Sequence, residues 1–98
     1  MLDKTISKAK EIWYKGDFEP NEKDVHFKDG IYDIWINWGL EGGTKIIGFT
    51  ISKNGKKIAS KEDCYSFIEF AKELKLKIEK DVMNESISYA NYILEMFL

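Results

Sequence analysis

A histidine and an aspartate in this sequence are spaced so that they can support general acid–base chemistry. The dipeptide Asp29-Gly30 predicts a two-residue β-turn, which would place His26 directly opposite Asp33. A carboxylate beside an imidazole can orient it as a general base, and the nearby ring of Trp35 can stack against a flat substrate. An ordinary cross-strand ion pair on a solvated sheet accounts for His26 and Asp33 equally well, so the pair alone does not indicate catalysis.

The segment of residues 31–40 has the period-two pattern of a β-strand. One face of the predicted strand is apolar and comprises Tyr32, Ile34, Ile36, Trp38 and Leu40. The other face is mostly polar but contains Trp35, which is either an exposed anchor for a partner or a ring packed over Gly48 on the next strand. The predicted partner-binding surface therefore consists of Trp35, Asp33, Asn37, His26 and Asp24.

Length and cysteine content limit the organisation of the chain. Ninety-eight residues predict a single domain, residues 1–98, with one hydrophobic core. The only cysteine, Cys64, cannot form an internal disulfide, and residues 1–30 contain no apolar run typical of a signal or membrane segment. We therefore expect a cytoplasmic protein that makes no membrane contact and in which Cys64 belongs to the core.

The charge pattern argues against sequence-specific nucleic-acid recognition. All fifteen cationic residues are lysines, the net charge is −2, and arginine, which grips phosphates and guanine edges bidentately, is absent. Residues 16–43 carry a net charge of −5, whereas residues 44–61 carry +5. Nucleic acid is thus an unlikely partner, although weak single-stranded binding through Trp35 and the lysine-rich second hairpin is an alternative.

Hydrophobic periodicity predicts an N-terminal helix followed by four antiparallel strands. The helix is expected from Asp3 to Lys15, ended by Gly16, and residues 17–22, which include Pro20, form a connecting loop. A second tight turn at Asn54-Gly55 would pair Ile51 with Ile58. A looser connection at residues 39–43 would pair Ile34 with Phe49 and Ile36 with Ile47, and so set Trp35 opposite Gly48.

The pattern after residue 60 predicts one or two C-terminal helices on one face of the sheet. Ser60 and Asp63 resemble a capping box for the first helix, and residues 74–79 fit helix better than extended chain. Asn84 can cap a final helix with an apolar stripe formed by Ile87, Ala90, Leu94 and Phe97. The resulting fold class is α+β: a helix, a four-stranded antiparallel meander and C-terminal helices packed on one face.

The final predicted helix is apolar nearly all round, which is typical of a buried or paired helix. It can be core beneath the sheet, or Tyr89, Tyr92, Ile93, Met96 and Phe97 can form a partner site or a self-association site that serves as a homodimer interface.

The sequence contains no phosphate-binding loop, no paired cysteine or histidine ligand motif and no nucleophile elbow. We therefore expect no enzymatic activity, no metal and no cofactor. In size and predicted element order alone, the chain resembles phage-encoded inhibitors of bacterial defence such as anti-CRISPR proteins, a likeness that assigns no residue. The leading hypothesis is a non-catalytic inhibitor or adaptor that covers a surface of a larger protein. A small-ligand or weakly catalytic site at His26, Asp33 and Trp35 is the main alternative.

Overall fold

The computed structural model describes residues 2–19 and 21–97; Pro20 of the predicted loop lies outside them. Within these residues the order of elements is α1 (Asp3–Lys15), β1 (Lys23–Asp29), β2 (Tyr32–Glu41), β3 (Thr44–Lys53), β4 (Lys56–Cys64) and α2 (Phe67–Phe97). The strands form one antiparallel sheet in the order β1-β2-β3-β4. The predicted α+β architecture is confirmed, with a single helix after the sheet.

Helix α1 has the predicted bounds and is held at both ends. At its start, the backbone N–H and the hydroxyl of the buried Thr5 both donate to Asp29 Oδ2, at 2.8 and 2.7 Å, which ties α1 to the end of β1. At its end, Gly16 N–H donates to Ile12 O at 2.8 Å, and a side chain at Gly16 would bring a Cβ within 2.4 Å of that oxygen. Only glycine therefore fits the position that ends the helix.

The first hairpin turns one residue later than predicted. Asp29 pairs with Tyr32, so the two turn residues are Gly30 and Ile31, and His26 lies opposite Trp35 instead of Asp33. Asp29 stays in the strand because its carboxylate is held by Thr5. Each partner moves by two positions, so the predicted faces of the strands are retained.

The connection between β2 and β3 is tighter than predicted. Gly42 and Gly43 form a two-residue turn with φ values of 57° and 81°, which residues with a Cβ adopt at a cost. The predicted pairs Ile34 with Phe49 and Ile36 with Ile47 are wrong, because this turn pairs Ile34 with Ile51 and Ile36 with Phe49.

The second predicted turn, Asn54-Gly55, is present, but strand β4 is longer than expected. A bulge places Ala59, not Ile58, opposite Ile51. Pairing continues to Cys64, opposite Ile47, so the predicted helix start at Ser60 is wrong.

The cap of the following helix is Ser66. Its Oγ accepts the N–H of Glu69 at 3.0 Å, while the Glu69 carboxylate accepts the N–H of Tyr65 at 2.9 Å. This arrangement is a variant of the capping box in which Glu69 accepts the N–H of the residue before the cap, and it lies six residues after the box predicted at Ser60.

The core lies between one face of the sheet and the two helices. Its fully buried side chains include Ile34, Ile36, Phe49, Ile51, Cys64 and Phe70. Phe49 of the sheet meets Phe70 of α2 edge to face, with ring centroids 5.2 Å apart. Cys64 is a core residue, as predicted, and burial raises the pKa of its thiol to about 11. This cysteine is therefore protonated and unreactive at neutral pH.

Helix α2 runs without interruption through residues 74–79, which confirms helix there. It also runs through Asn84, so the predicted cap at that residue is wrong. Its 31 residues span about 46 Å, and the molecule measures 59 × 20 × 19 Å. The second half of α2 therefore projects beyond the sheet.

Candidate functional site

The predicted partner-binding residues lie on the outer face of the sheet, which carries no helix in the described part of the chain. The observed register aligns a row of four side chains across this face: His26, Trp35, Thr50 and Ser60. The threonine and serine of the row were not identified from the sequence, because the predicted register put Gly48 beside Trp35.

His26 and Trp35 form a stacked pair. Their ring centroids are 4.1 Å apart and their planes differ by only 4°, while His26 Nε2 lies 3.3 Å from Asp33 Oδ1 on the neighbouring position of β2. The His26 side chain is 49 % exposed and that of Asp33 is 25 % exposed, so the contact is largely solvated. The sequence placed the right three residues together, but the indole is covered on one side by the imidazole.

Asn37 takes the place opposite Gly48 that was predicted for Trp35. A Cβ on Gly48 would lie 2.7 Å from both Asn37 Oδ1 and the backbone oxygen of Lys61, so glycine permits this close approach. Asn37 Nδ2 also donates to Glu22 Oε1 at 3.2 Å. The exposed Asp24 pairs with Asn37 across β1 and β2, which completes the predicted set.

The outer face is open, which limits what chemistry it can do. A groove of about 790 Å³ between α1 and the β1–β2 hairpin includes Asp24 but neither His26 nor Trp35. An exposed histidine–carboxylate contact without an enclosing pocket does not exclude water from a substrate. The geometry is better suited to contact with a broad surface than to bond making.

A second polar cluster joins the sheet to α2 where the helix leaves it. Asp81 Oδ2 accepts from Lys53 Nζ at 2.9 Å and from the Tyr32 hydroxyl at 2.8 Å, and Lys53 also bonds Glu85. Burial and then the hydrogen bond to Asp81 raise the pKa of Tyr32 to about 12. Burial would raise the pKa of Asp81, but the hydrogen bonds from Lys53 and Tyr32 outweigh it and lower that pKa.

The polar groups of this cluster hydrogen-bond to one another, so we assign the cluster a structural role. The Lys53 and Asp81 side chains are only 14 % and 15 % exposed, and the pKa of Lys53 is raised by its hydrogen bonds to Glu85 and Asp81. The cluster fixes the direction in which the rest of α2 projects. We call it the α2 anchor.

Beyond the α2 anchor, the helix exposes its apolar side chains to solvent. The predicted alternative that this region is core beneath the sheet is wrong: Tyr89 is 67 % exposed and Phe97 is 80 % exposed. We call residues 82–97 the projecting half of α2. Its charges are few, since only Glu85 and Glu95 fall within it.

The projecting half has two apolar faces. At 3.6 residues per turn, the face that continues the sheet-contacting stripe contains Tyr89, Tyr92 and Met96, with Ile93 at its border. We call this the tyrosine face. The opposite face contains Met83, Ile87, Ala90, Leu94 and Phe97, and it continues back to the exposed Leu76 in the packed part of the helix. Of the five predicted self-association residues, only Phe97 belongs to this second face.

Within residues 2–19 and 21–97, no group of three or more potential ligands is placed to hold a metal ion. In the same residues no helix is both long enough and apolar enough to cross a membrane.

Comparison of the chain with models of protein families, with curated proteins and with solved structures finds no significant match. Its function therefore has to be inferred from the geometry of its own residues.

Proposed function

We propose that this chain is a non-catalytic protein-binding module, an inhibitor or adaptor that covers a surface of a larger protein in the cytoplasm. The observation that carries the proposal is the projecting half of α2, where large apolar side chains are exposed on both sides of one helix. Exposed apolar surface of this extent is typical of interaction sites. Because residues 82–97 carry only two charges, few charged side chains in this helix oppose its association with another apolar surface.

A projecting helix fits a known way of recognising proteins. An amphipathic helix can place apolar side chains three, four and seven residues apart into a groove of its partner. Tyr89, Tyr92 and Met96 have this spacing on the tyrosine face. Tyrosine is also favoured at binding hot spots, because its ring supplies a large contact area.

The outer face of the sheet is the second contact surface in this proposal. His26 and Trp35 form a stacked aromatic pair on this face, and Asp24, Asp33 and Asn37 supply polar groups around it. Two aromatic rings with a polar surround have the composition of an interface centre. Lys28 lies opposite Asp33 on the same face, so a target would meet charges of both signs here.

The proposal is tested by capture from a lysate of the organism that encodes the chain, using matched variants. Tyr92→Ala tests the tyrosine face, Trp35→Ala tests the sheet, and Tyr65→Ala removes an exposed ring outside both. We expect the wild type to retain a protein from the lysate. We expect Tyr92→Ala or Trp35→Ala to bind that protein about 30-fold more weakly, a loss of about 2 kcal/mol in binding free energy. Circular dichroism verifies that each variant folds.

Two results would contradict the proposal. One is that no protein is retained by the wild type, and the other is that retention is unchanged in both Tyr92→Ala and Trp35→Ala. A histidine resonance of His26 that shifts on addition of nucleotides or other metabolites would favour the small-ligand alternative instead.

A further inference from the structure

The face of α2 opposite the tyrosine face has the sequence pattern of a coiled-coil seam. The apolar residues of this face are spaced by seven, four, three, four and three residues: they are Leu76, Met83, Ile87, Ala90, Leu94 and Phe97. Lys80 divides the first interval into four and three. Alternating steps of three and four residues over three heptads define the a and d positions of a helix pair. We call these seven residues the α2 seam.

The α2 seam is accessible because it lies on the side of the helix away from the core. Phe70, Leu74 and Ile78 face the sheet and are at most 4 % exposed, whereas Leu76 is 59 % exposed although it lies between them in sequence. From Met83 to Phe97 a second helix can thus approach the seam without meeting the sheet, whereas Lys80 lines a groove beside Ile58 and Ala59 of β4.

We infer that the occupant of the α2 seam is a second copy of this chain, paired with it in antiparallel orientation. This inference deepens the proposed function, since it names what covers one face of the projecting half. The length agrees: in the pairing described below the layers run from Lys80 to Phe97, which is 18 residues or about 27 Å of helix and exceeds the length at which an isolated helix is marginal.

Side-chain sizes favour the antiparallel orientation. An antiparallel pair centred between Ser88 and Tyr89 sets Ile87 against Ala90 of the second copy, so a large side chain meets a small one in both central layers. The next layer outward pairs Met83 with Leu94. A parallel pair would instead set Ala90 against Ala90 and leave a void at the centre.

Charge favours the same orientation. Lys80 is the only charged residue of the seam, and a parallel pair would bring two Lys80 ammonium groups together. The antiparallel pair sets Lys80 against the ring of Phe97, a favourable cation–π partner. The positions beside the central layers are Asn84, Ser86, Asn91 and Ile93, so no like charges oppose the pairing of two copies.

The dimer leaves the tyrosine face free. Tyr89, Tyr92 and Met96 lie on the side of the helix opposite the seam, so a two-fold dimer displays two such faces and two outer sheet faces. A target could then bind twice, and the second contact would gain from the high effective concentration that the first creates.

The first experiment measures the mass of the full chain by sedimentation over a range of concentrations. We expect a dimer for the wild type, and for Leu94→Glu about a hundredfold weaker self-association, since the carboxylate would be buried in an apolar layer. Tyr92→Glu is the matched control, because it puts the same charge on the opposite face, and it should remain dimeric. A monomeric wild type, or a Tyr92→Glu variant that dissociates as Leu94→Glu does, would overturn the inference.

The second experiment determines the orientation with one added cysteine in each variant, since Cys64 is fully buried and its thiol stays protonated. Oxidation of a mixture of Met83→Cys and Leu94→Cys chains should give a disulfide between the two variants, whereas Leu94→Cys alone should give none. In the antiparallel pair two copies of residue 94 are about 16 Å apart along the axis. Rapid cross-linking of Leu94→Cys alone would indicate parallel helices and overturn the antiparallel dimer.

Failure here is distinguishable from failure of the proposed function. If the wild type is monomeric but Tyr92→Ala still loses a captured protein, only the inference about the second copy is wrong. If the dimer forms but no variant changes capture, only the proposed target binding is wrong.

Discussion

Helix α2 is one continuous element with two halves in opposite environments. In residues 67–81 the apolar side chains Phe70, Leu74 and Ile78 are buried against the sheet, and charged residues occupy much of the remaining surface. In residues 82–97 the apolar side chains are exposed and the charges are reduced to two. The first half packs its apolar stripe against its own chain, whereas the second half exposes apolar side chains that no described part of the chain covers.

This difference separates the half of α2 that packs on the sheet from the half for which we propose binding. Burial of the first half stabilises the core, whereas an isolated helix of about 16 residues is only marginally stable in water. The α2 anchor marks the boundary, because Asp81 holds the last packed turn to Lys53 and Tyr32. Substitutions in the two halves should therefore change different measured quantities.

The largest expected effect comes from a matched pair of leucines. Leu74 is 2 % exposed, so Leu74→Ala should lower the free energy of unfolding by about 3 kcal/mol through lost contacts and a cavity. Leu94 is 57 % exposed, so in the monomer Leu94→Ala should change the free energy of unfolding by less than about 0.5 kcal/mol. Urea unfolding at low and high protein concentration measures both. A concentration-independent loss for Leu94→Ala as large as that for Leu74→Ala would abolish the distinction between the two halves.

A smaller effect is expected at the boundary. Asp81→Asn removes the charged acceptor of Lys53 and Tyr32 and should lower the free energy of unfolding by about 2 kcal/mol at pH 7. Glu85→Gln is the control. Because the Glu85 side chain is 60 % exposed, this substitution should lower the free energy of unfolding by less than Asp81→Asn does.

Acid should remove the same contribution from the wild type. Since the pKa of Asp81 is lower in the folded state, its stabilisation is present above the unfolded value near about 3.9 and is lost as the pH falls through the folded value. Asp81→Asn should therefore reduce the difference in stability between pH 7 and pH 3. An unchanged pH profile in this variant would show that Asp81 does not stabilise the boundary.

The sequence was sufficient to predict the type and order of the elements, because hydrophobic periodicity records which face of each element is buried. The faces of β1, β2 and β3 were correct even where the pairing was wrong, since each error moved a partner by two positions, but Leu40 at the end of β2 is exposed and not core. The exact turn residues were not predictable from the Asp29-Gly30 signal, because Thr5, 24 residues away, holds Asp29 in the strand.

The candidate site followed the same rule. The proximity of His26, Asp33 and Trp35 was correctly predicted from one hairpin, but the stacking of two rings depends on the register that tertiary contacts set. The α2 seam was partly visible as the stripe from Ile87 to Phe97. Its continuation to Leu76 was missed because a cap was placed at Asn84, which divided one helix into two.

The smallest expected effect tests that continuity and hence whether the two halves belong to one helix. In a helix interior, Asn84→Ala should raise helix stability by about 0.5 kcal/mol, because alanine has the higher helix propensity. If Asn84 instead capped a separate helix, the same substitution would cost about 1 kcal/mol. Ser66→Ala supplies the reference. Since the Ser66 hydroxyl accepts the N–H of Glu69, this substitution should lower helix stability by about 1 kcal/mol. Helical circular dichroism during urea unfolding measures both, and a loss for Asn84→Ala that matches Ser66→Ala would break α2 into two helices and remove the α2 seam with it.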